Sequence, residues 1–409
     1  MRTLDNAVRI RPEPRSVLRS VAFLRLWTGT TASGMATWAL PFILGLAVLD
    51  RSLTAVQLGI LLAVRTVGFL AAVPVGGVLA DRHSRRQVVF WSGLTGALAT
   101  PVMVLGLDRS LALAAVAAAV MGAGQGACRP AFQALTAEVV AEPLRQQANA
   151  AITLAVRVTT LVAPSLTALL ALAVSIPMLL LGVGVLWLAA ALIPPAGAGR
   201  PDTPAARPGI LAEFVDGVRE ARRHPWFLAG LGALTAVIAT GYSATGVVLP
   251  LVSRDRYDTG AVLAAAMTAY TLGALAGAVL VGRWHPPAQG WTALAGLALY
   301  GFVPLSLLLP VHPVLLVSAY VLAGLGIELF NVPWFTATQR EVDPTKLARV
   351  SSLDFLLSYG LAPVGLALIA PAIDRFGAAA VLAACAVACF AAPAAAALVP
   401  SSRRFSVRP

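Results

Sequence analysis

The chain has 409 residues, of which 58% are hydrophobic and 12% charged. Soluble proteins carry about 25% charged residues, so this composition excludes a soluble domain and fits a polytopic membrane protein. A net charge of +12 would suggest nucleic acid in a soluble protein; here the placement of the charges explains it, and no nucleic-acid partner is expected.

About 20 apolar residues cross the hydrocarbon layer. On that rule the sequence predicts twelve spans, at 22–49, 54–80, 87–107, 111–136, 148–171, 175–194, 227–252, 260–283, 291–310, 314–338, 352–373 and 377–399. The fold class is an all-α membrane protein. Its expected organisation is a tail at 1–21, a six-span bundle at 22–194, a polar segment at 195–225, a second six-span bundle at 226–399 and a tail at 400–409. The tail is basic like the start of a signal peptide, but the apolar run behind it is too long to be cleaved, so it reads as a retained first span.

Charge tests the topology. With the N-terminus inside, the inner loops and tails hold 21 positive residues, and the outer loops hold five: Arg51, Arg109, Arg254, Arg256 and Arg375. The positive-inside rule then places both termini in the cytoplasm. The polar segment opens Pro-, Ala- and Gly-rich. It continues with Leu211, Phe214, Val215 and Val218 among Glu213, Asp216, Arg219, Glu220, Arg222 and Arg223. That pattern predicts an amphipathic helix with its apolar side on the membrane face.

The two halves repeat. Gly76 to Arg82 aligns with Gly277 to Arg283, Pro130 and Glu138 with Pro333 and Glu341, and Ala163-Pro164 with Ala362-Pro363, at offsets of 201, 203 and 199. Near-equal offsets imply duplication of a six-span unit in parallel orientation. Gly122-Ala123-Gly124-Gln125-Gly126 and Gly273-Ala274-Leu275-Ala276-Gly277 are small-residue runs that let helices pack closely.

A charge at the bilayer centre costs about 2.5–3.5 kcal/mol on insertion scales, so each one needs a reason. Arg25 sits at a helix end and is expected to snorkel. Arg65 and Arg157 fall in mid-span and should face a cavity or pair inside the bundle. Arg129 is either a cavity residue or a structural partner, with Asp81 a candidate. Glu328 is the leading proton-coupling candidate. Burial raises a carboxyl pKa and a nearby arginine lowers it, so alternation between the two would take up and release a proton; the other reading is a fixed Glu–Arg pair. Asp354 reads as an interfacial or gate residue. The Asn331-Val332-Pro333 break should free backbone carbonyls. Trp38, Tyr242 and Trp334 suit either ligand stacking or packing.

Cys128, Cys385 and Cys389 lie in apolar segments, and His83, His224, His285 and His312 are scattered, so neither a disulfide framework nor a metal site is expected. There is no P-loop and no catalytic constellation, and neither a cofactor nor an enzymatic activity is expected.

Residues 76–86 end the second span in Gly76-Gly77, then Asp81, Arg82, Arg85 and Arg86. Asp81 stands where a carboxylate can face a neighbouring helix N-terminus or an arginine. The stretch resembles the loop between helices 2 and 3 of the major facilitator superfamily, whose pattern is Gly-x-x-x-Asp-Arg/Lys-x-Gly-Arg/Lys-Arg/Lys. Gly77, Asp81, Arg82, Arg85 and Arg86 match, and Ser84 replaces the glycine. In the second half Gly282 replaces the aspartate. Gly324 to Glu328, Trp334, Thr338-Gln339 and Arg349 to Asp354, with Ala148-Asn149-Ala150, resemble macrolide-efflux and enterobactin-exporter-type members, although Leu353 stands where that group often has tyrosine.

The resemblance implies that helices 1, 4, 7 and 10 line a cavity, that helices 2, 5, 8 and 11 join the halves, and that Asp81 with its arginines forms a cytoplasmic latch. It implies a monomeric, proton-coupled exporter of drugs or small amphipathic metabolites in a bacterial cytoplasmic membrane, working by a rocker switch. The competing expectation is an uncoupled facilitator or importer of an anionic metabolite, which the surplus of intramembrane arginine would suit.

Overall fold

A computed structural model of the chain describes residues 16–197, 209–258, 261–284, 286–360 and 362–406. Most of the basic tail, the Pro-rich opening of the polar segment and His285 lie outside the described residues.

The first six spans are α1 (Val21–Leu49), α2 (Ala55–Arg82), α3 (Arg85–Arg109), α4 (Leu111–Val139), α5 (Arg145–Leu170) and α6 (Ile176–Leu192). After α7 (Ile210–Arg222), the polar helix, span seven is α8 (Pro225–Val237) and α9 (Ser243–Asp255) joined by a π-turn at Ile238–Tyr242. Span eight is α10 (Ala261–Arg283). Span nine is α11 (Gln289–Ala298) and α12 (Phe302–Leu308), and span ten is α13 (Pro313–Glu341). Span eleven is α14 (Leu347–Gly360) and α15 (Ala362–Phe376), and span twelve is α16 (Ala378–Ala397). The expected helical fold is present, and its elements follow the twelve expected spans in order; ten helices among the described residues are long and apolar enough to cross a membrane. α4 and α13 run on past their expected ends, because a helix keeps its own hydrogen bonds where hydrocarbon gives way to headgroups.

Local chemistry starts the helices. Thr54 and Gln57 form a reciprocal cap on α2: the Gln57 amide donates to Thr54 Oγ1 at 3.2 Å and the Thr54 amide to Gln57 Oε1 at 2.8 Å. The expected break at Asn331-Val332-Pro333 does not occur. α13 is continuous through Pro333, and Thr336 Oγ1 donates to the Val332 carbonyl at 2.7 Å. The irregularity falls instead in span seven, where the wide turn sets Gly241 against Cys389 Sγ and the Tyr300 ring. Single π-turns of this kind mark adaptable points in helices.

Two backbone-to-backbone seams organise the packing. α2 lies on α4 because Gly122 meets the Arg65 carbonyl and Gly126 the Phe69 carbonyl. α10 lies on α13 because Gly324 meets the Tyr270 carbonyl and Gly273 the Val321 carbonyl. The seams occupy the same place in the two repeats, as the small-residue runs led us to expect. α3 packs on α4 and α6, and α11 packs on α13 and α16, in the same relation. Between the two sets, the main contacts are α2 with α14 and α5 with α10.

The polar helix α7 buries part of its acidic side. Glu213, Gly217, Glu220 and Ala221 turn inward, Phe214 and Val218 rest against the core, and Leu211 is 75% exposed. Its acids turn inward because cations wait there.

A β-carbon in either seam must push backbone apart, a cost of about 1–3 kcal/mol. Gly122→Val and Gly324→Val should each lower the unfolding midpoint of the purified protein in detergent by several degrees. Gly45, whose added β-carbon would meet nothing within 4 Å, should tolerate Ala without loss. Equal stability of all three variants would refute the close-packed seams.

Candidate functional site

The densest polar chemistry lies where α2 ends and α14 begins. Gly77 allows the approach, since a β-carbon there would fall 2.7 Å from the Ala348 carbonyl and from Ser352 Cβ. Asp81 is buried. Its Oδ1 accepts from the Ala348 amide at 3.1 Å and its Oδ2 from the Arg349 amide at 3.0 Å, while Arg349 Nε lies 3.3 Å from Oδ2. The carboxylate therefore caps the first turn of α14 from another part of the chain, where free N–H groups and the helix dipole favour an anion. Both partners foreseen for it, a helix N-terminus and an arginine, are present, and the arginine is Arg349.

The other motif residues divide the work. Arg85 Nη1 lies 2.9 Å from Glu138 and donates to the Ala134 carbonyl at 3.0 Å, and its other arm reaches the Pro344 carbonyl across the interface. Arg86 donates to the Leu192 carbonyl at 3.2 Å. Arg82 Nε pairs with Glu213 of α7 at 3.0 Å. Glu213 also faces Arg349 at 3.5 Å, Asp216 faces Arg349 and Lys346 at 3.3 Å, and Glu220 faces Lys346 at 3.1 Å. Partial burial opposes charge on Lys346, yet Glu220 and Asp216 outweigh it and hold its pKa above the ordinary lysine value.

Further into the bundle lies a layer of neutral amides. Asn149 donates to Gln339 Oε1 at 2.9 Å and to Thr336 Oγ1 at 3.0 Å. Gln339 donates to Gln133 Oε1 at 3.0 Å, and Arg145 donates to the Gln339 carbonyl at 3.0 Å. Gln146 donates to the Val281 carbonyl near the end of α10 and to the Trp284 carbonyl just past it, at 2.6 and 3.0 Å. Sequence reasoning assigned these amides no role. Asn149 and Gln339 stood out only as part of the exporter resemblance, and Gln133 and Gln146 only as polar residues near the ends of apolar spans.

At mid-depth Arg157 of α5 meets Glu328 of α13. Glu328 is fully buried, and one oxygen takes both Nε and Nη2 of Arg157. Asn331 Nδ2 lies 3.4 Å from the other oxygen, and the guanidinium sits 5.7 Å from the Tyr270 ring centre. Four residues from α5, α10 and α13 thus converge across the interface of the two sets. Arg65 is placed apart from them, donating to Gln125 Oε1 at 2.6 Å and to the Thr37 carbonyl at 3.3 Å. Arg129 lies between Phe69 and Phe355, 6.0 and 5.9 Å from their ring centres, while Asp81 is taken by Arg349. Arg25 donates to the Ile193 carbonyl at 2.9 Å.

Trp334 is not a cavity residue in this conformation. It is fully buried and stacks on Phe227 and Phe330 at 4.8 and 5.2 Å. Its Nε1 donates to Asp354 Oδ2 at 3.2 Å, and Ser358 donates to Asp354 Oδ1 at 3.0 Å. Asp354 is therefore a buried helix-to-helix tie rather than an interfacial group. Trp38 and Tyr242 are 37% and 48% exposed.

Among the described residues, the hydrogen bonds and ion pairs between the six-span sets lie at mid-depth or toward the basic face. A bundle of this kind, with parallel repeats meeting at an ion pair in mid-membrane and tied at one face, defines a membrane carrier. The family model of the Major Facilitator Superfamily matches residues 26–366, and the chain belongs to that family of transporters. Its fold is similar to that of the human organic anion transporter MFSD10 (TETRAN), with TM-score 0.74 and 17% identity over 94% of this chain and 100% of that one. It is also similar to a bacterial homologue of the iron transporter ferroportin in an outward-facing state with soaked iron, with TM-score 0.71 and 17% identity over 94% and 99%. Comparison with curated proteins finds no match.

Asp81→Asn removes the charge that α14 and Arg349 share, so it should loosen the basic face. With the native cysteines replaced by serine, a reporter at buried Ser351 (Ser351→Cys) should react with a water-soluble maleimide several-fold faster when Asp81→Asn is added. An unchanged rate would show that Asp81 does not hold this face closed.

Proposed function

We propose that this protein is a proton-coupled exporter of amphipathic small molecules, working by alternating access. The observation that carries the reading is the fully buried Glu328, held by Arg157 from the other six-span set. Leaving either charge alone in a low dielectric is far costlier than leaving the pair intact. Separation of α5 from α13 therefore demands that the fully buried Glu328 be neutralised, which a proton does, while the partly exposed Arg157 keeps its charge by turning to water.

The cycle follows from the ties. With the basic face shut, a proton arriving from the opposite side displaces Arg157 and releases one lock between the sets. The basic face then opens, water reaches Glu328, and the proton leaves as substrate enters. Return of Arg157 restores the lock. The excess of positive residues on the basic face supports a cytoplasmic position for it; on that orientation protons flow inward and substrate outward. The resemblance to macrolide-efflux and enterobactin-exporter-type carriers supports the same direction. Asp81, Arg82, Arg85 and Arg86 with Gly77 act as the cytoplasmic latch, and the carrier works as a monomer.

The test is accumulation of a panel of fluorescent drugs in an efflux-deficient bacterial host, at matched expression, with and without a protonophore. The intact carrier should lower accumulation, and the protonophore should abolish that. Glu328→Gln should return accumulation to the level of the empty host. Efflux that persists in Glu328→Gln, or without the proton gradient, would reduce the pair to a structural tie.

A further inference from the structure

We infer that Arg65 forms the head of an anion-binding subsite in the first six-span set, so that the transported molecule carries a carboxylate or sulfonate on an apolar body. This rests on the carrier reading above but not on its proton coupling.

The argument begins with the cost of Arg65. It stands at least about 15 Å along α2 from either end, taking 1.5 Å per residue, beyond the reach of lipid headgroups. The α2–α4 seam presses its backbone onto Gly122, and its guanidinium reaches Gln125 Oε1 and the Thr37 carbonyl. Both acceptors are neutral. Two hydrogen bonds from one nitrogen leave most of the five donors unspent and the charge uncompensated.

The deep acids are engaged elsewhere. Glu328 holds Arg157 and Asn331, and Asp354 holds Trp334 and Ser358. Arg129, one α4 turn beyond Gln125, is close enough to repel Arg65. The positive field at Arg65 is what an entering anion relieves. A guanidinium offers paired N–H donors that match the two oxygens of a carboxylate or sulfonate. The Phe69 and Phe355 rings on either side of Arg129 are buried in this conformation; parting of the two sets would bare them as apolar surface for the rest of such a molecule.

The purely structural reading is that Arg65 only cross-links α1, α2 and α4. The two readings part in a binding measurement. The full-length protein would be purified in an uncharged maltoside detergent, and its unfolding midpoint followed against three matched probes: naphthalenesulfonate, naphthamide and naphthyltrimethylammonium. The sulfonate should stabilise it saturably and the other two should not. Arg65→Gln should weaken apparent sulfonate affinity by roughly tenfold or more, the loss expected for a hydrogen bond to a charged group. Arg65→Lys should recover part of it, and Arg109→Gln, an exposed change at the far end of α3, should have no effect.

Equal stabilisation by the amide, no selective stabilisation by any probe, or unchanged sulfonate affinity in Arg65→Gln would overturn the proposal. No proton gradient enters this measurement. Failure here with loss of efflux in Glu328→Gln would remove the anion subsite alone, and the converse result would remove the coupling alone.

Discussion

A carboxylate at the end of one helix that terminates the first turn of another is the constraint on which the basic face depends. Asp81 answers two backbone amides and one guanidinium of α14 at once. The amides belong to a helix start and have no partner within their own helix, so separating α2 from α14 exposes them together with the carboxylate. Gly77 matters because the approach leaves no room for a side chain. At the matching place in the second half Gly282 has no carboxylate to offer, and the polarity of the tie is reversed: Gln146, in the first turn of α5, donates to carbonyls near and just past the end of α10. One strut is charged and the other neutral, so the two respond differently to anything that changes local charge.

The central pair and the basic face share two helices. α5 carries Asn149 at the amide layer and Arg157 at mid-depth, and α13 carries Gln339 and Glu328 at the matching levels. The two contacts stand on the order of 15 Å apart along each helix, at 1.5 Å per residue. Helices tied at both levels move as rigid units, so releasing one contact loads the other. In this way the ion pair at mid-depth bears on the amide layer.

Much of this was legible in the sequence, for physical reasons that also set its reach. Hydrocarbon thickness fixes span length, so the twelve spans and their order could be read. The duplicated glycines announced the two seams, since only a residue without a side chain allows that backbone approach. Glu328 and Arg157 were each visible as charges needing a reason, but not as partners, because 171 residues separate them and only the docking of the two sets brings them together. Trp334 read as a possible ligand platform because an aromatic residue beside a mid-span glutamate looks the same in sequence whether it faces a cavity or a core; Phe227 and Phe330 decide in favour of the core. Gln133, Asn149 and Gln339 went unassigned because a neutral amide carries no cost large enough to demand an explanation.

The inward acids of α7 follow from the topology itself. Cations gathered on one face set the orientation of the chain in the bilayer, and folding then brings Arg82, Lys346 and Arg349 close together beneath the junction of the two sets. Like charges held there would repel and push the junction open. α7 resolves this by turning Glu213, Asp216 and Glu220 inward among them, leaving Leu211 and Val215 on its outer side. Glu213 touches an arginine from each set, so this connecting helix ties the two sets rather than only linking them along the chain. Opening the basic face must break its ion pairs along with the Asp81 cap, and these charges lie nearer water and salt than the cap does, so they form the part of the lock that ionic strength can weaken.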